Sequence, residues 1–283
     1  MTLSNRNKLP IRKKKSTLIS ILSAKIIRMK KSIRLLKEFI ANVTAADLCG
    51  SKCNETIGQL EKSILNEWHL SVQADLDQTP FSEEELASVS EKSRIRYSSE
   101  NASDRHKAYG TTLIAFALTD TFAIGIQIGD GKAVVFDSDM KPSVPIPDDE
   151  SCQMNITTSL CDDDAINEFR YVTYTTGIPI AFFCGTDGID DSYVSEEDLY
   201  AFYEGVLSLF AEYGSDTAEK EIEEYLPVLT QKGSGDDVSV ALIVNMPMIK
   251  EAVSRHAADT EQIQPDALSE MAPVETENNI PSE

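Results

Sequence analysis

Apolar positions along this chain follow two different spacings, and the change from one to the other divides it. Between residues 55 and 72 they recur at helical intervals, with Ile57, Leu60, Ile64, Leu65, Trp68 and Leu70 set among polar neighbours. Residues 16–43 mix apolar and basic positions at a similar spacing, so that Ile26, Ile27, Ile33, Leu36, Phe39 and Ile40 share one face. Pro80-Phe81-Ser82 opens a further helix. Ser82 is a capping residue and Glu85 lies three positions on, the spacing of a capping box, which predicts a helix running toward Tyr97. Residues 98–108 are polar and read as a loop.

Beyond Gly110 the pattern becomes one of short apolar runs. Residues 111–118 and 122–128 are strands joined by the tight turn Thr119-Asp120-Thr121, and Gly129-Asp130-Gly131 turns into a third at 133–136. Links this short predict an antiparallel meander. Further strands are expected at 170–175, 179–184 and 238–244. Two helices, 196–212 and 217–231, separate the last two strands; Ser195 caps the first, and Leu199, Phe202, Val206, Leu207 and Phe210 form its apolar stripe. Antiparallel strands with helices set apart from them predict an α+β layered sandwich.

Composition narrows the possibilities. A chain of 283 residues, 41% hydrophobic, suits one soluble domain with tails. A net charge of −21 argues against nucleic-acid binding. The charge is uneven: 12 of the 26 basic residues precede Glu38 with no acidic residue among them, leaving 14 basic against 47 acidic. Such asymmetry sets off residues 1–32 as a separate basic segment, with a domain at 33–247 and an acidic, disordered tail at 248–283. The basic segment is open to three readings. It could lie on an anionic membrane, it could be a leader with Leu18-Ile19-Ser20-Ile21-Leu22 as its apolar region, or it could replace the start of a truncated domain. Truncation is the favoured one. Lys25 and Arg28 interrupt the run too soon for a membrane span. Five cysteines at irregular spacing argue for a reducing, cytoplasmic setting and against a disulfide framework. Cys49 and Cys53 lack the partners that zinc requires, and His69, His106 and His256 are scattered surface or packing residues.

The chemistry is carried by acidic turns at strand ends. Asp187 follows the apolar run 179–184, and Asp236 and Asp237 precede the run 238–244. A carboxylate at the end of a buried strand is costly unless a cation compensates it. Two of them brought together call for a hard divalent ion. Turn chemistry alone, with Asp and Gly as ordinary turn residues, is the competing reading.

Four landmarks in order, Gly110-Thr111-Thr112, Ile128-Gly129-Asp130-Gly131, Thr186-Asp187-Gly188 and Gly235-Asp236-Asp237, make the chain resemble the metal-dependent protein phosphatases of type 2C (PPM) in their short bacterial form. The resemblance covers roughly residues 41–246. It implies an α-β-β-α sandwich of antiparallel sheets flanked by helices, and hydrolysis of phosphoserine or phosphothreonine in a phosphorylated protein substrate. It implies Mg²⁺ or Mn²⁺ held by Asp187 and Asp236, with Asp130 at a weaker metal position. In the same comparison Gly188, Gly235, Gly129 and Gly131 support the site, as do Asp237, Thr111 and Thr112, while Asp190 and Asp191 are acidic neighbours. The departure lies upstream. Nothing before Gly110 matches the family's Glu-Asp and Asp-Gly metal motifs, so the fold is expected to be incomplete at its N-terminus. A non-catalytic relative acting through protein contacts is the alternative.

Overall fold

The computed structural model describes residues 18–22, 29–149, 152, 157–236 and 238–259. In chain order its elements are β1 (Leu18–Leu22), α1 (Met29–Asn42), α2 (Ser51–Gln78), α3 (Glu83–Ser88), α4 (Glu91–Tyr97), α5 (Ala102–His106), β2 (Leu113–Leu118), β3 (Ala123–Ile128), β4 (Ala133–Phe136), β5 (Pro142–Ser143), β6 (Arg170–Tyr174), β7 (Ala181–Gly185), α6 (Asp187–Asp190), α7 (Glu196–Tyr213), α8 (Ser215–Lys232), β8 (Val240–Val244) and α9 (Met246–Asp259). The strands form two four-stranded sheets, ordered β1-β2-β3-β6 and β5-β4-β7-β8. Every neighbouring pair is antiparallel.

Period-two alternation sends successive strand residues into different cores. On β2, Leu113, Ala115 and Ala117 meet Leu36, Ile40, Ile57, Leu60 and Ile64 of α1 and α2. The intervening Ile114, Phe116 and Leu118 face the second sheet, against Val135, Phe182, Cys184 and Ile243. The far faces of β4 and β7, with Val134, Phe136, Ala181 and Phe183, carry Phe202, Val206 and Phe210 of α7 and Ile249 and Ala252 of α9. Three apolar layers between four layers of structure make the α-β-β-α sandwich. It also explains why these strands, Gln127 aside, are apolar at every position: β2, β3, β4 and β7 are buried throughout. Burying one side chain such as Phe182 contributes about 1.5–3 kcal/mol. Gly125 belongs to this packing, since a Cβ there would sit 2.1 Å from Cε1 of Phe116.

The elements depart from the sequence reading in five places. The third strand of the expected antiparallel meander, β4, leaves β3 for the other sheet, where it pairs with β5 and β7. Leu18–Leu22, read as part of a leader, a membrane-lying segment or a replaced domain start, pairs with β2 in register from Leu18 opposite Leu118 to Leu22 opposite Ile114. The single helix expected from Ser82 to Tyr97 is broken: α3 starts at the Ser82–Glu85 capping box, and Ser90 caps α4 anew by accepting from the Ser93 amide. The loop at 98–108 contains α5. The polar chain after Met248 continues in α9, because Ile249 and Ala252 alone supply a buried pair three residues apart. Ile26, Ile27, Asp237 and the remainder of the tail lie outside the described residues.

Candidate functional site

Backbone hydrogen bonds draw the three acidic turns to one end of the sandwich. The Gly129–Lys132 segment crosses from β3 in one sheet to β4 in the other. Lys132 accepts from the Gly185 amide at 3.0 Å, which places this turn against the end of β7. A Cβ on Gly131 would lie 3.1 Å from the Gly185 carbonyl oxygen, so only glycine allows so close an approach without adjustment. The third turn joins on the other side. Thr186 donates its amide to the Ser239 carbonyl at 3.1 Å, and the Ser239 amide donates to Thr186 Oγ1 at 3.0 Å. Ser234 Oγ donates to the Gly188 carbonyl at 2.9 Å, and the Ser234 amide donates to Ser192 Oγ at 3.2 Å.

Each turn is braced from within. Gly129 has φ +103°, and a Cβ there would lie 2.3 Å from Cγ2 of Thr112, whose side chain thus packs directly under the turn. Thr111 donates its amide to Ser159 Oγ at 2.8 Å, tying the start of β2 to a neighbouring loop. Gln127, buried in an otherwise apolar strand, donates Nε2 to the carbonyls of both Gly129 and Gly131. Arg170 reaches the Gly129 and Pro147 carbonyls and pairs with Asp149 at 3.6 Å. Thr158 completes the bracing: its hydroxyl donates to Asp149 Oδ2 at 2.7 Å and accepts from the Gly129 amide at 3.0 Å. Gly188 donates its amide to Asp187 Oδ1 at 2.9 Å, and Gly235 takes φ +76°.

Charge gathers where the turns meet. Asp130, Asp187 and Asp236 are all exposed. Asp190, on the turn of helix that begins at Asp187, is largely buried. Burial, reinforced by repulsion from Asp191, Asp187 and Asp148 and opposed by Lys132, pushes its carboxyl up to about 7. Its Oδ1 is buried with no hydrogen-bond partner. Lys132 extends to Glu196 at 3.1 Å. Burial works against the Lys132 charge, but the Glu196 hydrogen bond and the charges of Asp190, Glu196 and Asp148 outweigh it and hold its pKa above the ordinary value.

The donors at this end are carboxylate oxygens, the chemistry that suits Mg²⁺ or Mn²⁺, and an orphaned carboxylate oxygen stands among them. Among the described residues, however, no three His, Cys, Asp or Glu side chains are gathered tightly enough to enclose an ion. The fit to such an ion is therefore one of donor type, the exposed carboxylates of Asp130, Asp187 and Asp236, and not of an enclosing ligand set. The structure brings together the turns of Asp130, Asp187 and Asp236, with Gly129, Gly131, Gly188 and Gly235 at their bends. Asp237 falls outside the described residues. Lys132, Glu196, Asp148, Gln127 and the Arg170–Asp149–Thr158 chain were not singled out from sequence. Gln127 alone carried a signal, as a polar residue in a buried strand.

A family model for protein phosphatase 2C matches residues 32–227 of the chain. The chain belongs to the protein phosphatase 2C family. Among solved structures, this phosphatase 2C chain is similar to a bacterial serine phosphatase at 13% identity and TM-score 0.45, with 81% of this chain and 84% of that one covered. It is similar to serine/threonine phosphatase Stp1 from Staphylococcus aureus at 13% identity and TM-score 0.46, covering 81% and 82%. It is also similar to the catalytic domain of the serine threonine protein phosphatase PstP, solved in complex with two manganese ions, at 16% identity and TM-score 0.42, covering 83% and 93%. No curated protein matches the phosphatase 2C chain in sequence.

Proposed function

We propose that this phosphatase 2C chain hydrolyses phosphoserine or phosphothreonine esters of a phosphorylated protein, using Mg²⁺ or Mn²⁺ held at the three acidic turns. The observation that carries the reading is the convergence of the Asp130, Asp187 and Asp236 turns through the hydrogen bonds of Gly185, Thr186 and Ser234. Asp187 and Asp236 would be the principal ligands and Asp130 a weaker one. A divalent cation there would supply positive charge to the phosphoryl oxygens and acidify an attacking water. The chain's own part is to hold the carboxylates at fixed spacing, with Gln127 and Arg170 fastening one turn and Ser192 and Ser234 the other. Lys132 balances part of the negative charge and would lower the repulsion felt by a phosphate dianion.

Hydrolysis of an aryl phosphate, titrated with Mn²⁺, tests this reading. Saturable Mn²⁺-dependent turnover that falls at least a hundredfold in Asp187→Asn, with unchanged thermal unfolding, is the expected result. Asp187→Asn leaving both Mn²⁺ binding and turnover intact would overturn the assignment. The lack of a gathered ligand set among the described residues favours a second reading, a non-catalytic relative that acts through protein contacts. In that case Mn²⁺ raises the unfolding temperature while turnover stays absent.

A further inference from the structure

Ser192 is a buried hydroxyl standing between the turns that carry Asp187 and Asp236. It follows α6, the short helix that begins at Asp187. Its Oγ donates to the Gly188 carbonyl at 2.6 Å and accepts from the Ser234 amide at 3.2 Å. Ser234 Oγ donates to the same carbonyl at 2.9 Å and accepts from the Asp236 amide at 3.3 Å. The two hydroxyls lie 3.3 Å apart. Gly233 closes the arrangement: a Cβ there would collide with Ser192 Oγ.

The same two turns are also joined on the strand side, by the bonds between Thr186 and Ser239. Asp187 lies next to Thr186 on one side and Gly188 on the other, and Asp236 lies between Ser234 and Ser239. Each carboxylate is therefore bracketed by one clip at the strands and one outside them. The strand-side clip continues the pairing of β7 with β8, whereas the outer one depends on side chains. A hydroxyl has one proton to give and lone pairs to accept with, and Ser192 uses both in joining the turns. Alanine would fill nearly the same space but would leave the Ser234 amide without this acceptor. Ligand groups held to about 0.5 Å need supports of this kind behind them.

We infer that Ser192 is a positioning residue of the acidic site: through the Gly188 carbonyl and Ser234 it fixes the separation of Asp187 and Asp236, and with it the affinity for a divalent cation. The effect on affinity rests on the metal-site reading given above; the latch itself needs no ion.

Two measurements on the full chain separate the latch from its consequence. Amide hydrogen exchange, read by NMR on the metal-free chain, reports the latch. Ser192→Ala should speed exchange of the Ser234 and Asp236 amides at least tenfold, with the rates in β7 and β8 unchanged. Mn²⁺ titration by calorimetry reports the consequence. Ser192→Ala should weaken Mn²⁺ at least tenfold, and adding Ser234→Ala should cost less than a further twofold, because both hydroxyls act through one clip. Ser208→Ala removes a comparable serine bond, to the Glu204 carbonyl within α7, and should leave Mn²⁺ affinity at the parent value. Gly233→Ala displaces Ser192 from the opposite side and should reproduce the loss, so the role stays testable if Ser192→Ala fails to fold. Unchanged exchange of the Ser234 amide in Ser192→Ala would overturn the latch. Faster exchange with undiminished Mn²⁺ affinity would overturn its part in the site. A parent chain without saturable Mn²⁺ binding would overturn the metal-site reading itself, and the positioning role with it, whatever the exchange rates.

Discussion

Asp190 and the His69–His106 pair put titrations of opposite sign into one chain. Asp190 holds its proton up to about pH 7 in the folded state because it is buried. An unfolded chain releases that proton near pH 4. The folded state therefore binds more protons across this window, and Asp190 takes stability away as pH rises from about 4 to about 7. Asp190→Asn should raise stability at pH 8 by about 1–2 kcal/mol, checked by urea denaturation at pH 5 and pH 8, with the gain larger at pH 8. The histidines act the other way. His69 Nδ1 and His106 Nδ1 face each other at 3.2 Å, so one donates and the other accepts. Burial lowers the pKa of both, with the His69 and Arg105 charges adding to the effect on His106. Their contribution is present above about pH 6.5 and is lost as pH falls below it. His106→Gln should flatten the acid limb of unfolding temperature against pH between 4 and 6.5, measured in the Asp190→Asn background so that one titration is read at a time.

At the scale of elements, the strands were legible in sequence and the supports of the site were not. Apolar runs such as 122–128 announce a strand buried on both faces, and the capping residues Ser82 and Ser195 mark helix starts that the structure keeps. The short linker made the antiparallel pairing of β2 with β3 readable, but not the crossing of β4 into the other sheet, which a turn of the same length also allows. The edge strand β1 was not readable, because its pairing with β2 joins residues almost a hundred positions apart and nothing local encodes that register. The Arg170–Asp149–Thr158 chain stayed hidden for the same reason: each partner belongs to a different segment, and each alone is an ordinary polar residue. Losing one partner of a buried ion pair costs about 3–5 kcal/mol, and this pair is partly open to solvent on the arginine side. Arg170→Met should therefore destabilise the fold by about 2–3 kcal/mol in urea denaturation. It should also weaken Mn²⁺ binding, since the Gly129 turn loses its outer fastening; Mn²⁺ titration by calorimetry checks this.

The whole molecule is shaped by its charge. Forty-seven acidic residues against 26 basic ones repel one another in the compact state. Raising monovalent salt from 10 to 150 mM shortens the range of that repulsion to about 8 Å. The unfolding temperature should rise by several degrees over this interval, read by calorimetry in a non-chelating buffer. A flat or falling profile would mean that attractive pairs such as Lys132–Glu196 dominate instead. A helix that can cross a membrane is absent among the described residues.

The crossing of the Gly129–Lys132 segment from one sheet to the other has a mechanical meaning. Asp130 rides on the joint between the sheets, whereas Asp187 and Asp236 ride on the second sheet alone. The thickness of the apolar layer, set by contacts such as Phe116 against Phe182 at 4.8 Å, therefore acts as the jaw setting of a caliper whose tips are the carboxylates. If these carboxylates hold a cation as proposed, a methylene removed from that layer, far from any charge, would register first as a change in which ion the tips can grip.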